Sequence, residues 1–135
     1  MASDSPKILV VDDEAAIVEG LCEALDLLGY QACAAFDGQQ ALDSIEEDRP
    51  DLVVMDVLMP RLDGIQALRM VRRNPATKDL PVIILTALGS DVSIVEGIKA
   101  GATMYLTKPV EVSKIAALIS AILGPRRAPG GESAS

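Results

Sequence analysis

Leu52-Val53-Val54-Met55-Asp56 is the stretch from which the fold can be read. A strand with one wet face alternates apolar and polar residues. An unbroken apolar run of this length indicates a strand covered on both faces, as in a parallel sheet flanked by helices. The run then ends on a carboxylate. The same pattern recurs along the chain: Ile8-Leu9-Val10-Val11 is followed by Asp12 and Asp13, Val82-Ile83-Ile84-Leu85 by Thr86, and Met104-Tyr105-Leu106-Thr107 by Lys108. If these strands are parallel neighbours, all five polar side chains gather at one carboxyl edge, where open α/β sheets bind their ligands. Three carboxylates, a hydroxyl and an ammonium suit a divalent cation together with a phosphoryl group.

Between the strands lie helical periodicities. The alternation predicts strands at Lys7–Val11, Gln31–Ala35, Asp51–Met55, Pro81–Leu85 and Thr103–Leu106. Helices are predicted over Glu14–Leu28, Gly38–Glu47, Gly64–Arg73, Asp91–Ala100 and Glu111–Leu123. Apolar positions recur at helical spacing: Ile17, Val18, Leu21, Leu25 and Leu28 in the first helix, Ala41, Leu42 and Ile45 in the second, Ile65, Leu68 and Val71 in the third. Gly29 and Gly101 terminate helices, and Asn74-Pro75 ends the third. Five βα units with short loops mean right-handed crossovers and an α/β fold. The domain is expected at 7–123, with 1–6 a disordered lead-in and the Gly-, Pro- and Ser-rich 124–135 a disordered tail or linker stump.

Composition removes several function classes. Of 135 residues only 2% are aromatic, which disfavours flavin pockets and stacking platforms for single-stranded nucleic acid. A net charge of −8 without a basic stripe argues against direct nucleic-acid binding. No apolar run approaches the ~20 residues of a membrane span, and no signal peptide precedes the first strand, so a cytoplasmic location is expected. The absence of histidine excludes a histidine general base or a phosphohistidine carried by this chain. Cys22 and Cys33 have neither metal nor redox spacing; Cys22 falls on the apolar face of the first helix, as a core residue would.

Taken singly, none of the five positions is specific. Asp12-Asp13-Glu14 reads equally well as a helix cap, Asp56 as a loop opener, Thr86 as strand-end packing and Lys108 as a solvated lysine before a turn. Their joint placement is specific. The motifs Ile8-Leu9-Val10-Val11-Asp12-Asp13-Glu14, Val54-Met55-Asp56-Val57-Leu58-Met59-Pro60 with Asp63-Gly64, Thr86-Ala87, Gly101-Ala102 and Lys108-Pro109 resemble those of a two-component response-regulator receiver domain, over residues 7–123.

That resemblance implies a flavodoxin-like doubly wound (βα)5 sandwich with sheet order 2-1-3-4-5, for which a receiver protein is a general example. It implies that Asp56 accepts a phosphoryl group, that Asp12, Asp13 and Asp56 hold Mg²⁺ with the backbone carbonyl of Leu58, and that Thr86 and Lys108 contact phosphoryl oxygens. Tyr105 would be the aromatic switch beside Thr86, and the Lys108–Pro109 bond would be cis. Implied partners are a histidine kinase or histidine phosphotransfer protein, and a downstream protein docking on the face of the fourth helix, fifth strand and fifth helix. Ile94, Val95, Lys99, Tyr105, Lys114 and Leu118 are expected on that face, in a monomer or weak dimer.

Two expectations are local to this sequence. Gly97 and the β-branched Val92, Ile94 and Val95 mark the fourth helix as the softest and the moving one. Apolar Leu58 and Leu88, each two residues beyond a site residue, predict hindered water access and a long-lived phosphoryl group. An aspartyl-nucleophile phosphatase of the haloacid dehalogenase type is disfavoured because Leu58 stands where its general acid would be. A nucleotide binder is disfavoured by the lack of a glycine-rich phosphate loop. A phosphorylation-independent receiver acting as an interaction module stays open as the alternative.

Overall fold

A computed structural model describes residues 5–57, 59, 62–87 and 91–124. Leu58 and Leu88, and with them the expectations placed on them, lie outside the described residues, as do residues 1–4 and 125–135 of the expected lead-in and tail. Five strands, β1 (Lys7–Val11), β2 (Gln31–Ala35), β3 (Leu52–Asp56), β4 (Val82–Thr86) and β5 (Met104–Thr107), alternate with five helices. These are α1 (Ala15–Leu27), α2 (Gly38–Glu47), α3 (Gly64–Arg73), α4 (Asp91–Ala100) and α5 (Val112–Leu123). The strands form one parallel sheet in the order β2-β1-β3-β4-β5.

Alternate residues of the central strands feed two cores. Leu9, Val11, Val53, Met55, Val82 and Ile84 pack beneath α2 and α3 with Ala41, Ile45, Ala67, Leu68 and Val71. Ile8, Val10, Leu52, Val54, Ile83 and Leu85 pack against α1 and α5 with Val18, Leu21, Leu25, Ile115 and Ile119. Every residue of β3 and β4 is buried, as the continuous apolar runs require. Cys33 packs in the first core and Cys22 in the second, so the two thiols lie on opposite faces of the sheet; both are free.

Three strands sit one residue later than the sequence reading had them. The ladder does not stop where apolarity stops: Asp56 pairs with Leu85, and Thr86 with Thr107. Backbone groups pair whatever the side chain. Asp56 and Thr86 are therefore the last residues of their strands, held by the ladder, rather than the first residues of loops. Glu14 and Glu111 likewise fall at the N-caps of α1 and α5, and Leu28 at the C-cap of α1, rather than within the helices. Gly29 and Gly101 take φ of 95° and 107°, the left-handed conformation that ends a helix cleanly.

Gly97 needs a different account from the one composition suggested. It is buried, and a Cβ there would overlap Ile84 Cδ1 in the sheet beneath. The glycine lets α4 lie close on β4. It is a packing feature, whatever it does to helix propensity.

Candidate phosphoryl-acceptor site

The carboxyl ends of β1, β3, β4 and β5 bring Asp12, Asp13, Asp56, Thr86 and Lys108 to one edge. Asp12 is fully buried, Asp56 nearly so, and Asp13 is exposed. One carboxylate oxygen from each of these three lies within 4.8 Å of the others, close enough to share one cation. Neither Asp12 nor Asp13 caps α1. Glu14 occupies the N-cap without a side-chain bond, and its N–H donates to Asp12 Oδ1 at 3.0 Å. The capping reading of the acidic pair fails for that reason, and Asp13 is left at the mouth of the site.

Lys108 bridges the two buried acids. Its Nζ stands 3.1 Å from Asp12 Oδ2 and 3.2 Å from Asp56 Oδ1, with exposed Glu14 Oε1 at 3.9 Å. Sequence reasoning gave Glu14 no place in the site; its position directly after the acidic pair was the available signal. The contact to Asp12 Oδ2 is an ion pair without hydrogen-bond angles, which leaves that buried oxygen short of a donor among the described residues. The Lys108–Pro109 peptide is cis. The Lys108 N–H donates to the Thr86 carbonyl at 2.7 Å, tying the end of β5 to the end of β4.

Electrostatics follow from crowding charge in a half-closed site. Burial, then the negative charge of Asp12, push the Asp56 carboxyl up to about 6, with Lys108 opposing. Burial disfavours the Lys108 ammonium, but its close pairing with the negative charges of Asp12 and Asp56 outweighs that, so its pKa stands above the ordinary lysine value. The Thr86 hydroxyl is buried and has no hydrogen-bond partner among the described residues. An unsatisfied buried hydroxyl costs free energy and calls for a ligand or an ion to explain it. The donor set fits a hard cation and an anionic group together: carboxylates for the first, an ammonium and a free hydroxyl for the second.

Tyr105, opposite Ile84 in the β4–β5 ladder, points partly to solvent, at 38% exposure. Of the residues expected on the outer face, Val95, Lys99, Tyr105 and Lys114 are exposed, while Ile94 and Leu118 are half-buried. The structure adds Val92, Ile98 and Met104, all exposed and apolar, which the sequence reading missed. Val92, Val95 and Ile98 share one face of α4 at helical spacing, a signal that was legible.

The chain is similar to known proteins over most of its length. The response regulator receiver domain family matches residues 8–120. The response regulator MprA of Mycolicibacterium vanbaalenii is 46% identical over 117 residues, covering 87% of this chain and 50% of that protein. The chain thus spans about half the length of the curated relatives it matches. Among solved structures, the receiver domain of Francisella response regulator 1452 superposes with a TM-score of 0.80 at 36% identity, covering 87% of this chain and 96% of that one. The chemotaxis response regulator CheY4 of Vibrio cholerae gives 0.82 at 30% identity, covering 87% and 98%.

Proposed function

The chain belongs to the response regulator receiver family of two-component signalling, and from that premise we propose that it is a phosphoryl-switched receiver whose acceptor is Asp56. The observation that supports this most is the meeting of Asp12, Asp13 and Asp56 around one cation-sized space, beside an ammonium and a buried hydroxyl that has no partner among the described residues.

In this reading a phosphohistidine on a kinase or phosphotransfer protein is the donor. An Asp56 carboxylate oxygen attacks phosphorus. The new P–O bond forms as the bond from phosphorus to the donor nitrogen breaks, and that nitrogen keeps the electron pair and takes a proton. Asp12, Asp13 and Asp56 would hold Mg²⁺, with the Leu58 carbonyl as a further ligand. Mg²⁺ supplies charge neutralisation on the phosphoryl oxygens during in-line transfer. Lys108 is already paired with Asp56 and moves its charge to a phosphoryl oxygen as it forms. Thr86 turns its free hydroxyl to another. Its shift leaves room for Tyr105 to move inward, which alters the face of α4, β5 and α5 that a downstream partner reads. The phosphoryl group can shift a pre-existing equilibrium only by binding one conformation better, and the Thr86 hydroxyl provides that difference. The domain extends over 7–123, and its role is signalling rather than turnover of a substrate.

The test is amide hydrogen exchange before and after loading with acetyl phosphate and Mg²⁺. The proposal expects changed exchange in α4 and β5 of the wild type and none in Asp56→Asn. Identical exchange in both, with the wild type loaded, would favour the phosphorylation-independent interaction module.

A further inference from the structure

The corner between β2 and α2 carries none of the motif residues, yet it touches the site from two directions. At one end, the Asp12 N–H donates to the Ala35 carbonyl at 3.3 Å, where β2 ends. At the other, the Gly38 N–H donates to the Leu62 carbonyl at 3.1 Å. Gly38 is buried, and a Cβ there would overlap that same carbonyl oxygen. Leu62 lies two residues before Gly64, which repeats the arrangement: its N–H donates to the Val57 carbonyl at 2.8 Å, and a Cβ there would overlap the carbonyl oxygen of Asp56. Backbone thus presses on backbone from Gly38 to Leu62 and from Gly64 to Asp56.

The corner itself is tied by local hydrogen bonds. Asp37 is buried and caps α2 by accepting from the Gln40 N–H at 2.8 Å, while Gln40 Oε1 accepts from the Phe36 N–H at 3.0 Å. Together the two bonds tie the first turn of α2 to the segment that enters it; they differ from a capping box in that the return bond reaches Phe36 rather than the N-cap Asp37. The corner thus abuts both Asp12 and the chain that follows Asp56.

We infer that Gly38 is a positioning residue for the acceptor site: through Leu62 and Gly64 it holds Asp56 at the spacing from Asp12 and Asp13 that a divalent cation requires. The inference rests on the proposed reading of those acids as a Mg²⁺ site. It gives β2 and α2, otherwise only scaffold, a part in metal affinity.

The test compares Gly38→Ala with Gly20→Ala, where a methyl group meets nothing within 4 Å. Mg²⁺ alone is titrated into each protein while the amide resonances of Asp13 and Val57 are followed, and thermal midpoints are recorded alongside. The expected result is an affinity about tenfold weaker in Gly38→Ala, the scale on which disturbed supporting contacts act on metal sites, with Gly20→Ala unchanged. A folded Gly38→Ala that loses stability but binds Mg²⁺ like the wild type would overturn the inference. If Gly38→Ala does not fold, Gln40→Ala decides against its neighbour Gln39→Ala, whose side chain bonds Asp43 and takes no part in the corner. Weaker Mg²⁺ binding in Gln40→Ala alone supports the corner's role, and equal binding in both overturns it. A wild type that binds no Mg²⁺ at the three acids would overturn the underlying reading as well, an outcome distinct from equal binding by all variants.

Discussion

Asp56 carries a cost that the fold tolerates. A carboxyl in an unfolded chain titrates near pH 4, whereas Asp56 is pushed up to about 6 by burial and by Asp12. Across that interval the folded chain holds a proton that the unfolded chain has lost. The stability linked to this proton is fully present below about pH 4 and is lost as pH rises through about 6. In the absence of divalent cations, Asp56→Asn is therefore expected to raise thermal stability near neutral pH by about 1–3 kcal/mol. The gain should shrink to nothing toward pH 4. Melting curves of both proteins across that range check it; a gain that does not vary with pH would mean that crowding of charge is not its cause. At this scale the sequence was most legible where chemistry and periodicity coincide. The five site positions announced themselves by ending apolar runs. Gly38 did not, because nothing in Phe36-Asp37-Gly38 reveals which backbone will lie against it. Nor could the opposite-facing placement of Cys22 and Cys33 be read without the strand register.

Among the helices, α4 buries the smallest side chains. Its buried residues are Gly97 and Ala100, while Val92, Val95 and Ile98 face solvent. α5, in contrast, inserts Ile115 and Ile119 into the core with no measurable exposure. The C-terminal end of α4 is anchored by Arg72 of α3, whose Nε–H donates to the Gly101 carbonyl at 2.9 Å and whose Nη1–H donates to Leu80 at 2.6 Å. Amide exchange in α4 is therefore expected to be faster than in α5, and faster toward its N-terminal half; equal protection in the two helices would contradict this. Gly97→Ala separates the two readings of that glycine. Propensity alone would stabilise the helix by about 1 kcal/mol. Overlap with Ile84 in a packed core should instead cost about 1–3 kcal/mol, and packing is expected to win. Denaturant unfolding of the variant gives the sign directly. The strand ends were misplaced by one residue for a related reason: periodicity tracks side chains, whereas the ladder that carries Asp56 and Thr86 is made by the backbone.

For the whole molecule, two cores on either side of one parallel sheet leave the carboxyl edge as the place where charge collects. The alternation of apolar runs and amphipathic helices made that architecture readable, and the motif resemblance supplied the strand order. The outer apolar surface was read less well. Val92 and Ile98 join Val95 there at a helical spacing that the sequence already held, and Met104 joins Tyr105 on a strand edge whose exposure shows only in the assembled sheet. No helix among the described residues is long and apolar enough to cross a membrane. The proposed switch depends on one covalent event at one residue. Intact mass after incubation with acetyl phosphate, with and without Mg²⁺, for wild type and Asp56→Asn, reads it directly. A single phosphoryl adduct, present in the wild type with Mg²⁺ and absent both without Mg²⁺ and in the variant, is the result this account predicts. An unmodified wild type, or an adduct that persists in Asp56→Asn, would contradict it.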